Sequence, residues 1–206
     1  MQLQERDYLI MNEIERFRYC LGRHIKELCG FEGQRACDRR MKILGDAGYI
    51  TRKKVLYGYP GLYTVTHKGK VLIGANKRQG KIRLEQIYHD VAVLDTACFL
   101  IKKAIATSSQ ITTDKELHSI DGFGMRSHKP DFIFTANGKL TAVEVEMTRK
   151  NQDRFSKNVK ENYLTYDSQV WVVPKRETAI IKLLSNWKLQ YSNITILEYE
   201  VIKDSI

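Results

Sequence analysis

From Leu84 to Ile101 apolar residues recur at positions 84, 87, 91, 94, 98 and 101, the spacing of one helix face over about five turns. Beyond it the period shortens. Lys115 to Ile120 reads as a first strand, and Phe132–Phe134 and Leu140–Met147 alternate as two more, joined by the hairpin punctuation Ala136-Asn137-Gly138-Lys139. Helical spacing returns from Thr148 to about Tyr166, with Arg154, Lys157 and Lys160 along one side. Gln169 to Val173 is an apolar strand stopped by Pro174, Lys175 to Leu189 a helix, and Ile194 to Tyr199 a last strand. The predicted order after the long helix is β-β-β-α-β-α-β around a mixed central sheet, an α/β core within a chain that is α+β overall.

The pattern before residue 84 differs. Leu3–Phe17 and Leu21–Leu28 are amphipathic helical segments, the second ended by Gly30. In the next, from Gln34, the residues Cys37, Met41 and Leu44 form an inward stripe, while Arg35, Arg39 and Lys42 recur on another face, and Gly48 is placed as a C-terminal cap. Ile50–Leu56 and Leu62–Val65 then read as strands joined by Tyr57-Gly58-Tyr59-Pro60-Gly61. Gly74 to Arg83 is polar, glycine-bearing and basic, which suits a linker. The expected organisation is a domain over 1–75, a linker over 76–83 and a second domain over 84–206.

Charge sharpens that division. Residues 1–83 hold 18 of the 34 Lys and Arg and 8 of the 24 Asp and Glu, a net +10, so residues 84–206 carry 16 of each sign and are neutral. All the excess positive charge lies in the first part, the footprint of a polyanion-binding region joined to a region with another task. The cysteines, Cys20, Cys29, Cys37 and Cys98, have neither C-x-x-C pairing nor zinc-ligand spacing and read as buried thiols. The polar start has no apolar signal core and no run reaches membrane-span length, so a cytoplasmic protein without a membrane partner is expected.

Candidate chemistry gathers on the two strands around the hairpin. Side chains two apart on a strand share a face, so Glu144 and Glu146 project together, and an antiparallel partner brings Asp131 alongside. Three converging carboxylates repel one another unless a hard divalent cation such as Mg²⁺ or Mn²⁺ sits among them. Read as a plain acidic strand, the same alternation puts Val143, Val145 and Met147 inside and leaves the acids facing solvent. Asp90 and Asp95 flank the apolar stripe of the long helix, Glu116 is a further candidate acid, and His89 reads as a packed or exposed histidine rather than a general base.

Two resemblances follow. Pro130-Asp131, the spacing to Glu144-Val145-Glu146 and the basic helix beyond resemble the PD-(D/E)XK nuclease superfamily over roughly residues 84–200, with Glu146 where most members carry lysine. That resemblance implies catalytic roles for Asp131, Glu144, Glu146 and Lys150, the last as the candidate to replace the absent lysine. It also implies a metal set of Asp131, Glu144, Glu146 and Asp90, with the Val145 carbonyl as a further oxygen and Glu146 as ligand or as acceptor of the attacking water's proton.

The helices and hairpin over residues 5–75 resemble a winged helix-turn-helix, with Gln34–Ile50 as recognition helix, Ile50–Val65 as wing and Thr66-His67-Lys68-Gly69 opening a closing helix. This implies duplex DNA as partner, with Gln34, Arg35, Asp38, Arg39 and Lys42 facing the groove and Arg52, Lys53 and Lys54 on phosphates. Tyr57 and Tyr59 at the wing tip either pack on sugar or cover the hairpin. Together the two parts resemble the MobC-type relaxases of mobilisable plasmids and the related replication-relaxation proteins. That likeness implies a metal-dependent nick at an origin of transfer or replication, and it leaves open a homodimer and accessory mobilisation proteins. The alternative is a non-cleaving DNA-binding regulator or origin-recognition protein with a nuclease-like scaffold.

Overall fold

A computed structural model describes residues 2–55, 57, 58, 60–75, 82–120, 128–148 and 152–206. The chain divides into two compact units, Met1–Ile87 and Tyr88–Ile206. Most of the expected linker, residues 76–81, lies outside the described residues, as do Leu56, Tyr59 and Lys150.

In the first unit α1 (Glu5–Arg16), α2 (Gly22–Leu28) and α3 (Gln34–Asp46) precede an antiparallel hairpin of β1 (Ile50–Lys53) and β2 (Leu62–Val65), and α4 (His67–Leu72) follows. Elements and order are those expected from the pattern. Ile10, Met11, Ile14, Ile25, Cys37, Met41 and Leu44, contributed by all three helices, are fully or almost fully buried, so the stripes meet in one core. Gly48, with φ +78°, ends α3, where Tyr49 donates back to the Leu44 carbonyl. A tie absent from the sequence reading joins α1 to α3: the Arg40 guanidinium is paired with the buried Asp7 carboxylate.

The second unit is built on a five-stranded mixed sheet in the order β3 (Ile111–Thr113), β4 (Phe132–Ala136), β5 (Lys139–Val145), β6 (Ser168–Val173), β7 (Ile194–Glu198). The first three strands are antiparallel and the last two join in parallel. Asn137 and Gly138, both at positive φ, make the two-residue turn between β4 and β5, as the Asn-Gly pair predicts. Helices α5 (Ile87–Lys102), α6 (Asp114–Ile120), α7 (Gln152–Thr165), α8 (Thr178–Gln190) and α9 (Tyr199–Lys203) complete it.

One expectation is overturned. Lys115 to Ile120 is helix α6, and the first strand lies just before it at Ile111–Thr113. The local reason is a capping box: Thr113 N–H donates to Glu116 Oε2 at 2.7 Å and Glu116 N–H donates to Thr113 Oγ1 at 3.3 Å. Glu116 is thereby spent on its own helix start.

Central strand β5 is covered on both faces, so Val143 and Val145 are buried on one side while Glu144 and Glu146 are buried on the other. The reading of a solvent-facing acidic edge is therefore wrong for these two residues. Glu144 pairs in register with Trp171 on β6, and Trp171 heads a core with Phe155, Val159, Val173, Ile180, Leu184 and Ile194. The acids thus share a sheet face with an aromatic core beneath α7.

Candidate functional site

On the first unit the recognition-helix candidates Gln34, Arg35, Asp38, Arg39 and Lys42 are all exposed on α3, as are Arg52, Lys53 and Lys54 on and just after β1. They divide into two groups. Gln34, Asp38 and Lys42 line a groove of about 730 Å³ between α3 and the hairpin, facing Arg52 and Tyr63, whereas Arg35 and Arg39 are not among its walls. Gln34 Nε2 donates to Asp38 Oδ1 at 2.8 Å, and the Arg52 guanidinium lies 5.6 Å from the centre of the Tyr63 ring. Arg23, from α2, lines the same groove and was missed in the sequence because it stands alone among apolar-patterned neighbours. Tyr57 is fully exposed, with Lys54 Nζ 5.8 Å from its ring centre.

The second unit gathers the acids. Phe132 pairs with Val143, so Asp131, one residue earlier, stands opposite Glu144, and its Oδ2 accepts the Val145 N–H at 2.7 Å. His89 of α5 reaches the same carboxylate, with Nε2 3.3 Å from Asp131 Oδ1, while its Nδ1 lies 3.2 Å from Asp90 Oδ1. Burial works against a charged imidazole at His89, but Asp131 and then Asp90 outweigh it and push its pKa up to about 10. His89 is therefore a cation held between two carboxylates, neither a plain packed histidine nor a neutral base. Asp95 is a core residue instead, buried and accepting from the Tyr199 hydroxyl at 2.7 Å.

Glu144 is 3% exposed, and its Oε1 accepts from Asn162 Nδ2 at 2.9 Å and lies 2.5 Å from His128 Nε2. Burial raises its pKa most, Asp131 raises it further, and the contacts with His128 and Asn162 pull it back only in part. Glu146, two residues on, is 1% exposed, and its N–H donates to the Val172 carbonyl at 2.9 Å. His128 and Asn162 were not singled out in the sequence. A signal for Asn162 exists: Phe155, Asn158, Val159 and Asn162 form the buried stripe of α7, and amides on an apolar stripe need partners.

Among the described residues no three His, Cys, Asp or Glu side chains form a ready metal-binding group. The donor set nonetheless fits a hard cation in its chemistry. Carboxylate oxygens suit Mg²⁺ or Mn²⁺, and Glu144 carries a raised pKa because a second carboxylate and burial oppose its charge. A cation would relieve both.

No family model matches the chain, and no curated protein does. Among solved structures, a match is Bacillus subtilis PadR in complex with operator DNA, at 20% identity over 60% of this chain and 83% of that one, with a TM-score of 0.30. That score is too low to establish a shared fold.

Proposed function

We propose that the first unit binds duplex DNA as a winged helix and that the second carries a divalent-metal-dependent site for phosphodiester cleavage, as in the PD-(D/E)XK nucleases. The setting is a nick at an origin of transfer or replication of a mobile element. DNA binding is supported by the net +10 charge of residues 1–83 and by the exposed basic side chains of α3 and β1. The observation that carries the catalytic half is the meeting of Asp131, one residue before β4, with Glu144 on β5, close enough for one charge to raise the other's pKa. The sheet around them runs antiparallel and then parallel, as the nuclease reading expects, with α6 inserted after the first strand.

In this reading Asp131, Glu144 and Glu146 hold the cation, Asp90 stands behind His89, and Lys150 remains the candidate for the missing lysine. When bound, Mg²⁺ or Mn²⁺ activates water and offsets charge on the phosphate. The chain's own groups hold the site in shape. Asp131 is fixed by the Val145 N–H and His89, Glu144 by His128 and Asn162, and burial beneath α7 excludes bulk water from Glu144.

A second reading, a DNA-binding regulator that does not cut, is favoured by the same contacts taken as an end in themselves. With both carboxylates partnered by histidines, the cluster is self-sufficient as a structural network. The test is a supercoiled plasmid carrying a duplex selected by the protein from a random pool. The nuclease reading expects open circles with Mg²⁺ or Mn²⁺ and none with Glu144→Gln. Wild-type protein that binds the site and leaves the plasmid supercoiled with either ion establishes the regulator instead.

A further inference from the structure

We propose that Gln34 and Asp38 of α3 form one unit that selects cytosine on the DNA strand it faces; this rests on the DNA-binding reading above. Gln34 Nε2 donates to Asp38 Oδ1 at 2.8 Å. A carboxylate has no hydrogen to give, so the amide turns its nitrogen to Asp38, and Gln34 Oε1 and Asp38 Oδ2 are the atoms left for an incoming group. The pair is braced from behind. A Cβ at Gly22, the first residue of α2, would stand 3.1 Å from Gln34 Nε2 and 3.6 Å from Asp38 Oδ1, so the missing side chain there lets the pair lie against α2.

What such a pair recognises follows from its chemistry. Two acceptors side by side need a donor, and the donors on the major-groove edges are the amino groups of cytosine and adenine. The adenine amino group is flanked by its own N7 and by O4 of thymine, acceptors that repel a second acceptor, whereas cytosine N4 has the apolar C5 edge beside it. Guanine offers only acceptors there, and thymine an acceptor and a methyl group. A carboxylate on this helix also has a cost: phosphates repel it, so Asp38 lowers affinity for every duplex unless a base donates to it. Arg23, Lys42 and Arg52 line the same groove and outnumber Asp38 and Asp46, which keeps it basic as a strand approaches.

The experiment takes the duplex that the full chain selects from a random pool and measures Kd by fluorescence anisotropy in metal-free buffer. Each base pair in turn is replaced by the other three. The proteins are wild type, Asp38→Ala, Asp38→Asn and Gln34→Ala; both positions are exposed, so the variants are expected to fold. At one position wild type is expected to prefer cytosine by about 5- to 150-fold, a preference that Asp38→Ala loses while its other preferences stay as they were. Asp38→Asn keeps its oxygen with Gln34 and turns its nitrogen outward, so the preference is expected to vanish or move to guanine. Gln34→Ala, which frees the carboxylate to swing, is expected to weaken it. A cytosine preference kept by Asp38→Ala, or tighter binding of every duplex by that variant with all preferences intact, overturns the role of the pair and leaves DNA binding by the first unit standing. Wild-type protein that selects no duplex removes sequence recognition and this assignment together.

Discussion

Asp7 shows how a single side chain can join two elements. Burial alone would raise its carboxyl pKa, but the hydrogen bond and charge of Arg40, with the Gln4 N–H, hold it below the ordinary carboxylate value. A lowered folded pKa contributes stability that is present above the unfolded value, about 3.9, and is lost as pH falls through the folded value. Arg40→Ala leaves a buried carboxylate unpaired. Because Arg40 is 17% exposed, the expected loss is about 3 kcal/mol, the lower end for a broken buried pair. Urea unfolding followed from about pH 7 down to about pH 2 should show the gap between wild type and variant closing below about pH 4. A gap that is constant with pH means the pair is not the source. At the acidic site the sign reverses. Glu144 has a raised pKa, so its charge opposes folding near neutral pH, and Glu144→Gln is expected to keep or raise the metal-free thermal midpoint. Asp131→Asn is expected to lower it, since the charge that holds His89 and accepts the Val145 N–H is lost; a calorimetric comparison decides. Period-two spacing put Glu144 and Glu146 on one face of β5, where both are buried, and the hairpin put Asp131 opposite Glu144. Neither gave a hint of His89, 42 residues before Asp131, because contacts between distant elements leave no local period.

At the scale of elements, periodicity served best where segments were long. The heptad-like stripe of α5, the Asn-Gly turn and the glycine cap of α3 follow from local physics and are all in place. The few apolar residues after Thr113 suit either period, and the Thr113–Glu116 box decides for a helix there. The join of α4 to the hairpin offers a test of packing against propensity. A Cβ at Gly69 would stand 2.3 Å from the Tyr49 carbonyl oxygen and 2.7 Å from Val65 Cγ1. Alanine is better than glycine in a helix by about 1 kcal/mol, but backbone cannot yield as a flexible side chain does. The clash is expected to dominate, and Gly69→Ala to lower stability by about 1–3 kcal/mol. A more stable variant in thermal unfolding would show that α4 moves freely away from Tyr49.

The whole chain pairs a basic unit with an acid-bearing one, and the charge split that suggests this was legible in the sequence. The direct test is single-turnover nicking of a selected duplex in a supercoiled plasmid, followed against protein concentration with Mg²⁺ or Mn²⁺. Arg39→Ala combined with Lys53→Ala is expected to move the half-maximal concentration upward, by roughly 1–3 kcal/mol for a base-reading arginine together with the weaker phosphate contact, while the plateau rate is kept. Glu144→Gln is expected to bind at wild-type concentration and show no plateau. A wild-type plateau in Glu144→Gln, or loss of the plateau with unchanged half-maximal concentration in the double variant, would contradict the assignment of binding to the first unit and cleavage to the second.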